Sequence, residues 1–188
     1  MIELKNVYFS YGEQNILSDF SLTVMNGECV QLNGVSGSGK TTVARIILGL
    51  EKATSGNVIV PQKISTVFQE DRLLHNLDVQ KNVRLVLSKE QYSLADDILK
   101  QLGLYHVRKK RVSQLSGGMK RRVAIARAIC YGGDALILDE AFNGLDTENK
   151  KIVASIIKRE FLDKDKPVLL ITHVKEDADL LGAKTINI

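Results

Sequence analysis

The sequence predicts an α/β fold: a parallel-sheet core, an N-terminal antiparallel β lobe and an inserted helical subdomain. Three observations predict it. Four short apolar runs lack the apolar–polar alternation of a half-solvated strand, as strands buried on both faces do. Helical stretches separate these runs, the pattern of a parallel sheet covered on both sides. Each run delivers polar residues at its carboxyl end, the edge where open α/β sheets bind ligands.

The elements follow in chain order. Ile2 and Leu4, then Leu22 and Val24, alternate with polar neighbours and read as antiparallel strands within the first 30 residues. Val30, Gln31, Leu32 and Asn33 form a short buried strand running into Gly34. Behind it Val43, Ile46, Ile47 and Leu50 recur at i, i+3, i+4 and i+7, one buried face of a helix. Ile64 to Phe68 is β-branched and aromatic and is followed by Gln69. From about residue 76 to 130 the chain is helical. Val79, Val83 and Val86 share a face behind Asp78 as cap. Leu94, Ile98, Leu99 and Leu102 form a stripe opened by Ser93, with Asp96 three residues on, and closed by Gly103. Met119, Val123, Ala126 and Cys130 form another. Ala135 to Leu138 is a bare apolar strand ending at Asp139 and Glu140, and Val168 to Ile171 is a second one ending at Thr172 and His173.

Composition sets the bounds. A chain of 188 residues, 44% hydrophobic and 26% charged, has room for a real core, and one domain over residues 1–188 is the expectation. Disorder, collagen and coiled coil are excluded. No apolar run approaches the ~18 residues of a membrane span. Met1-Ile2-Glu3-Leu4-Lys5 lacks the basic-then-apolar build of a signal peptide, so a cytoplasmic location is expected. Cys29 and Cys130 lie in apolar stretches, where a thiol packs as a small hydrophobe. A net charge of +4 argues for neither nucleic acid nor membrane. Arg108 to Arg111 and Lys120 to Arg122 are basic runs, but only Tyr105 stands near them as an aromatic. They read as a solvated face, or one turned to acidic lipid, and no nucleic-acid partner is expected.

The chemistry concentrates in three places. Gly34-Val35-Ser36-Gly37-Ser38-Gly39-Lys40-Thr41 matches the strand–GxxxxGK[ST]–helix phosphate loop in sequence and in context. Its glycines let backbone N–H groups converge on phosphate, and the helix N-terminus adds its dipole. Lys40 reaches for the β- and γ-phosphates and the Thr41 hydroxyl for Mg²⁺. Asp139, ending a buried strand, can hold that Mg²⁺, and Glu140 can polarise the attacking water. In Leu115-Ser116-Gly117-Gly118-Met119 a Ser-Gly-Gly turn opens a helix, and the residues alone leave it either a helix cap or a second anion cradle.

Together these motifs resemble the ATP-binding subunits of ABC (ATP-binding cassette) transporters. Residues 34 to 42, including Thr42, are similar to their Walker A, Leu115 to Met119 to their signature, and residues 135 to 140 to their Walker B. Gln69 resembles the Q-loop glutamine, Gly144-Leu145-Asp146 the D-loop and His173 the switch histidine. Tyr11, in Phe9-Ser10-Tyr11-Gly12, is similar to the aromatic that stacks on adenine. The resemblance implies an ABC ATPase fold and hydrolysis of ATP with Mg²⁺, the metal held by Thr41, Gln69 and Asp139. It implies Glu140 as the base, and Lys40, Ser116 and His173 as stabilisers of charge on the γ-phosphate. Ser116, Gly117, Gly118 and Asp146 would meet nucleotide in a two-ATPase assembly, driving separately encoded permease subunits from the inner face of the cell membrane. A groove lined by Leu73, Leu74 and Leu77 would receive a short permease helix. Met119, Ala141 and Val174 stand where many relatives have Gln, Pro and Asp. Residues 56 to 69 are short for the family, which implies a trimmed hairpin, and the end soon after His173 leaves no room for a regulatory C-terminal domain. The resemblance leaves import or export open, and a soluble assembly-type relative or a nucleotide switch with little turnover stand as alternatives.

Overall fold

A computed structural model describes residues 1–188. Its strands are β1 (Ile2–Tyr11), β2 (Gln14–Val24), β3 (Cys29–Asn33), β4 (Ser55–Ile59), β5 (Ile64–Val67), β6 (Ala135–Asp139), β7 (Val168–Ile171) and β8 (Lys184–Asn187). Its helices are α1 (Lys40–Ile47), α2 (Val79–Arg84), α3 (Tyr92–Gln101), α4 (Gly117–Tyr131), α5 (Thr147–Glu160) and α6 (Lys175–Leu181).

The core sheet has the order β5-β6-β7-β3-β8 and every neighbouring pair is parallel. All residues of β6 and β7 are buried, which is why those strands carry no alternation. The second sheet has the order β2-β1-β4 and is antiparallel. Its register pairs Ile2 with Val24 and Leu4 with Leu22, so the four alternating apolar residues lie on one buried face. That face packs on α1 and the adjacent side of the core sheet in one apolar cluster. The opposite side of the sheet packs with α2 to α6 in a larger cluster. Between β5 and β6 the chain is helical, apart from one isolated bridge between Asp78 and Arg111. The parallel core, the antiparallel lobe and the helical insertion are all present.

Several local expectations are corrected. The helix after Gly34 ends at Ile47, and Gly49 turns the chain with φ of 68°, so Leu50 is exposed rather than part of the buried face. The cap near residue 93 lies upstream. Ser88 and Gln91 form a capping box on a short 3₁₀ turn that leads into α3, while Asp96 pairs with Arg84 at 3.1 Å. Leu73 is core, 6% exposed, so it does not line a groove with Leu74 and Leu77. The two basic runs differ: Lys109, Lys110 and Arg111 are exposed, as a solvated face requires, whereas Arg121 is buried and Arg122 donates to the Leu102 carbonyl at 2.8 Å. Sequence reading missed β4 and β8, edge strands of mostly exposed residues, and did not single out α5 or α6. Residues 60 to 63 join β4 directly to β5.

Candidate functional site

β3 ends at Asn33, and the chain then closes a tight loop that opens α1. Gly39, the N-cap of α1, has φ of 102°, and a Cβ there would lie 3.1 Å from Ile16 and Leu17 on β2. Only glycine combines that conformation with that approach. Lys40 Nζ is fixed inside the loop by the Gly34 and Val35 carbonyls, each at 2.7 Å. The loop therefore presents a lysine cation and a helix N-terminus at one place.

The acids arrive on β6. Asp139 ends that strand, 6% exposed, and its carboxyl is pushed above the usual range by burial and by neighbouring Glu140, with Lys40 and Arg121 pulling the other way. Glu140 follows in the left-handed region with φ of 49°, its N–H donating to the Ile171 carbonyl at 2.9 Å. A non-glycine residue held there marks a position that the surrounding structure enforces. Its carboxylate has two holders: Asn143 Nδ2 donates to Oε2 at 3.2 Å, and His173 Nδ1 lies 3.0 Å from Oε1. His173 follows β7. The Thr172 hydroxyl accepts from the Val174 N–H at 3.1 Å, and its carbonyl accepts from Gln31 at 3.0 Å, so the turn after β7 is fixed from both sides.

These groups meet in one cavity of about 530 Å³, which Gly34, Ser36, Gly37, Gly39, Lys40, Thr41, Thr42, Gln69, Asp139, Glu140 and His173 all line. Ile16 and Ile171 give it an apolar wall. Val35 is 77% exposed outside it, and Ser38 keeps its hydroxyl buried beside the loop without a hydrogen-bond partner. Tyr11 does not line the cavity; its hydroxyl donates to Glu51 at 3.1 Å and its ring meets Phe9 edge-on at 4.8 Å. Ser116, Gly117 and Gly118 lie apart from the cavity at the start of α4, where Ser116 caps the Met119 N–H at 3.4 Å. Asp146 also lies apart. It caps α5 by accepting from the Asn149 N–H at 2.8 Å, and those Asn149 bonds hold its carboxyl below the usual range.

Thr41, Gln69 and Asp139 offer a hydroxyl, an amide and a buried carboxylate on one wall. All three are oxygen donors, the set Mg²⁺ takes, and a cation there would relieve the burial that pushes Asp139 up. The residues present fit that metal. Sequence reading missed Ile16, Asn143 and Arg121, because each acts through a neighbour that is distant in sequence or through a short side-chain bond no motif encodes.

A phosphate loop at the carboxyl edge of a parallel sheet, with an oxygen-donor metal site, a held glutamate and a histidine, defines an ATPase of the phosphate-loop class. The comparisons narrow it. A family model described as ABC transporter matches residues 17–143. The aliphatic sulfonates import ATP-binding protein SsuB 1 of Rhodococcus jostii (strain RHA1) is 37% identical, covering 98% of this chain and 78% of its own length. The spermidine/putrescine import ATP-binding protein PotA of Legionella pneumophila (strain Paris) is also 37% identical over 95% of this chain, but the match spans only 54% of that protein. Among solved structures, the dimeric bacterial ABC transporter cassette MJ0796 superposes with a TM-score of 0.90 at 30% identity, covering 100% of this chain and 94% of its own. The chain belongs to the ABC transporter family, as one of its ATP-binding subunits. The ATPases of that family use ATP with Mg²⁺.

Proposed function

We propose that this chain hydrolyses ATP to drive import through separately encoded membrane permease subunits, working as one ATPase domain over residues 1–188 within a dimer. The observation that carries the reading is the convergence of Lys40, Thr41, Gln69, Asp139, Glu140 and His173 on one cavity. Lys40 and the loop N–H groups bind the β- and γ-phosphates and neutralise charge as it develops. Thr41, Gln69 and Asp139 would hold Mg²⁺, which would supply neutralisation of phosphate charge there. Glu140 orients and deprotonates the attacking water, and Asn143 and His173 fix the direction of its carboxylate. His173, on the same cavity wall, stabilises charge on the γ-phosphate. Tyr11, 43% exposed, stacks on adenine.

Both relatives named above are import proteins, and the MJ0796 cassette is dimeric, which supports import and pairing for this chain. Equal identity to a sulfonate importer and a polyamine importer supports a reading in which other subunits choose the substrate. No helix is long and apolar enough to cross a membrane; the import reading puts the path through the membrane in permease subunits and this ATPase against their cytoplasmic side. The permease seat is the second cavity, about 500 Å³, between α1 and the segment after β5, walled by Arg45, Leu48, Leu50, Phe68, Glu70 and Arg72. It adjoins the metal-binding wall through Gln69 and Asp139. The test is Lys40→Ala. Phosphate release should vanish and ATP should bind more weakly by ~10-fold or more, since the cation inside the loop is lost. Near-normal turnover would overturn the assignment.

A further inference from the structure

The segment after β5 is fastened to α4. Arg121 Nη1 donates to the Phe68 carbonyl at 2.7 Å and Nη2 to the Gln69 carbonyl at 2.5 Å. Further along α4, Arg127 Nη2 donates to the carbonyls of Asp71 and Arg72 at 3.2 and 2.9 Å. The Asp71 carboxylate stands 3.3 Å from Arg121 Nη1, too poorly aligned for a hydrogen bond but close enough to hold the charge. Arg121 is 8% exposed, so these bonds form away from competing water.

The geometry of the fork matters. A guanidinium is planar and its donors are rigidly spaced, so it can fix two successive carbonyls at once; an ammonium on a flexible stem cannot. Fixing the carbonyls of Phe68 and Gln69 fixes the peptide planes on either side of the Gln69 Cα, and with them the direction in which that side chain leaves the backbone. Gln69 shares the cavity wall with Thr41 and Asp139. The helix that carries the fork opens at Ser116.

We propose that Arg121 is a positioning residue for Gln69: through the Phe68 and Gln69 carbonyls it sets the Gln69 amide at the metal-binding wall, so the response to Mg²⁺ depends on α4. This rests on the metal role given to Gln69 above. Arg121 itself lines neither cavity.

The test compares the purified chain with Arg121→Lys, Gln69→Ala and the double variant. ATP binding is measured by equilibrium dialysis with and without Mg²⁺, and phosphate release against Mg²⁺ and against ATP. Arg121→Lys keeps the charge and loses the fork. It should weaken the Mg²⁺-dependent part of ATP binding and raise half-saturating Mg²⁺ by about 10-fold, the usual size for a group that orients a ligand. Binding of ATP without Mg²⁺, and the KM for ATP at saturating Mg²⁺, should stay within about twofold of wild type, because the phosphate loop is untouched. Gln69→Ala should show the same defect, and adding Arg121→Lys to it should change little, since two residues acting in series are not additive. An additive loss in the double variant would make Arg121 a fold support only. An unchanged Mg²⁺ response in Arg121→Lys would overturn the proposal outright. If Gln69→Ala keeps the wild-type response while Arg121→Lys loses it, the metal role of Gln69 fails and Arg121 acts by another route. Should Arg121→Lys melt early, the same measurements are made at a temperature where circular dichroism shows it folded, under the same criteria.

Discussion

Gly117 and Gly118 are adjacent at the start of α4, yet they answer to different constraints. A Cβ on Gly118 would lie 2.8 Å from the Gly144 carbonyl, whereas one on Gly117 would meet nothing within 4 Å. Gly118→Ala should therefore cost about 1–3 kcal/mol by overpacking against fixed backbone. Gly117→Ala should stay within about 0.5 kcal/mol of wild type, as at an open surface site. Urea unfolding of the two variants checks this, and equal losses would show that the Gly118 contact relaxes freely. Sequence shows two equivalent glycines in a motif, and their division of labour is invisible there because Gly144 arrives from the far end of α4 and β6. The cysteines were legible, by contrast, since apolar neighbours in sequence suffice. Cys29 and Cys130 are each 4% exposed, and burial pushes both thiols from 9.0 up to about 12. Unfolded, they lose their protons first. The stability contributed by the neutral thiols is thus complete below pH 9.0 and is lost as pH rises toward about 12. Iodoacetamide at pH 8 should leave both unmodified in the native chain and label both in urea; rapid native labelling would contradict their burial.

Among the elements, the strands that sequence revealed are those with no choice of face. β3, β6 and β7 are covered on both faces, so none alternates: β6 and β7 are apolar up to the end of the strand, and in β3 the buried Gln31 is satisfied by the Thr172 carbonyl and the Thr185 hydroxyl. β4 and β8 occupy sheet edges, and each holds only one apolar residue that is even half-buried. Their strand character comes from pairing with β1 and β3 and leaves no periodicity to read. Ser65 shows how an interior join escapes sequence in the same way. On β5, 1% exposed, its hydroxyl donates to the Ala128 carbonyl of α4 at 2.8 Å and accepts the Gly133 N–H at 2.9 Å. It is the only polar side chain bridging β5 to the end of α4 and the turn beyond. Ser65→Ala leaves a buried donor and acceptor unpaired and should cost about 1–3 kcal/mol. The urea midpoint should fall with an unchanged slope; a changed slope would mean that α4 has loosened as a unit.

At the scale of the whole molecule the sequence was most informative, because fold class follows from the succession of buried runs and helices and tolerates errors of a few residues. What it left open was how two phosphate cradles serve one nucleotide. In the folded chain Lys40 lines the cavity and Ser116, Gly117 and Gly118 do not. We propose that a symmetric pair resolves this, each chain of a two-fold dimer offering its α4 start to the other's phosphate loop. Gly117 is the position to test it: a side chain there meets nothing of its own chain, so Gly117→Arg fills the cradle without disturbing Gly144, as a change at Gly118 would. Gly117→Arg alone gives dimers in which both cradles are blocked, and Lys40→Ala alone gives dimers in which both loops lack their cation. Both should be inactive. Mixed in equal amounts and exchanged, half the dimers should pair one of each. Each mixed dimer then has one site with both defects and one with intact Lys40 facing an intact Gly117. Phosphate release should reappear at roughly a quarter of the wild-type rate, the share of intact sites under random two-fold pairing. Cross-linking of differently tagged chains confirms that mixed dimers form. Mixed dimers without turnover would mean that the two sites must fire together. A Gly117→Arg variant with full activity would place the second cradle outside the reaction altogether, because an arginine among those N–H groups leaves no room for a phosphate.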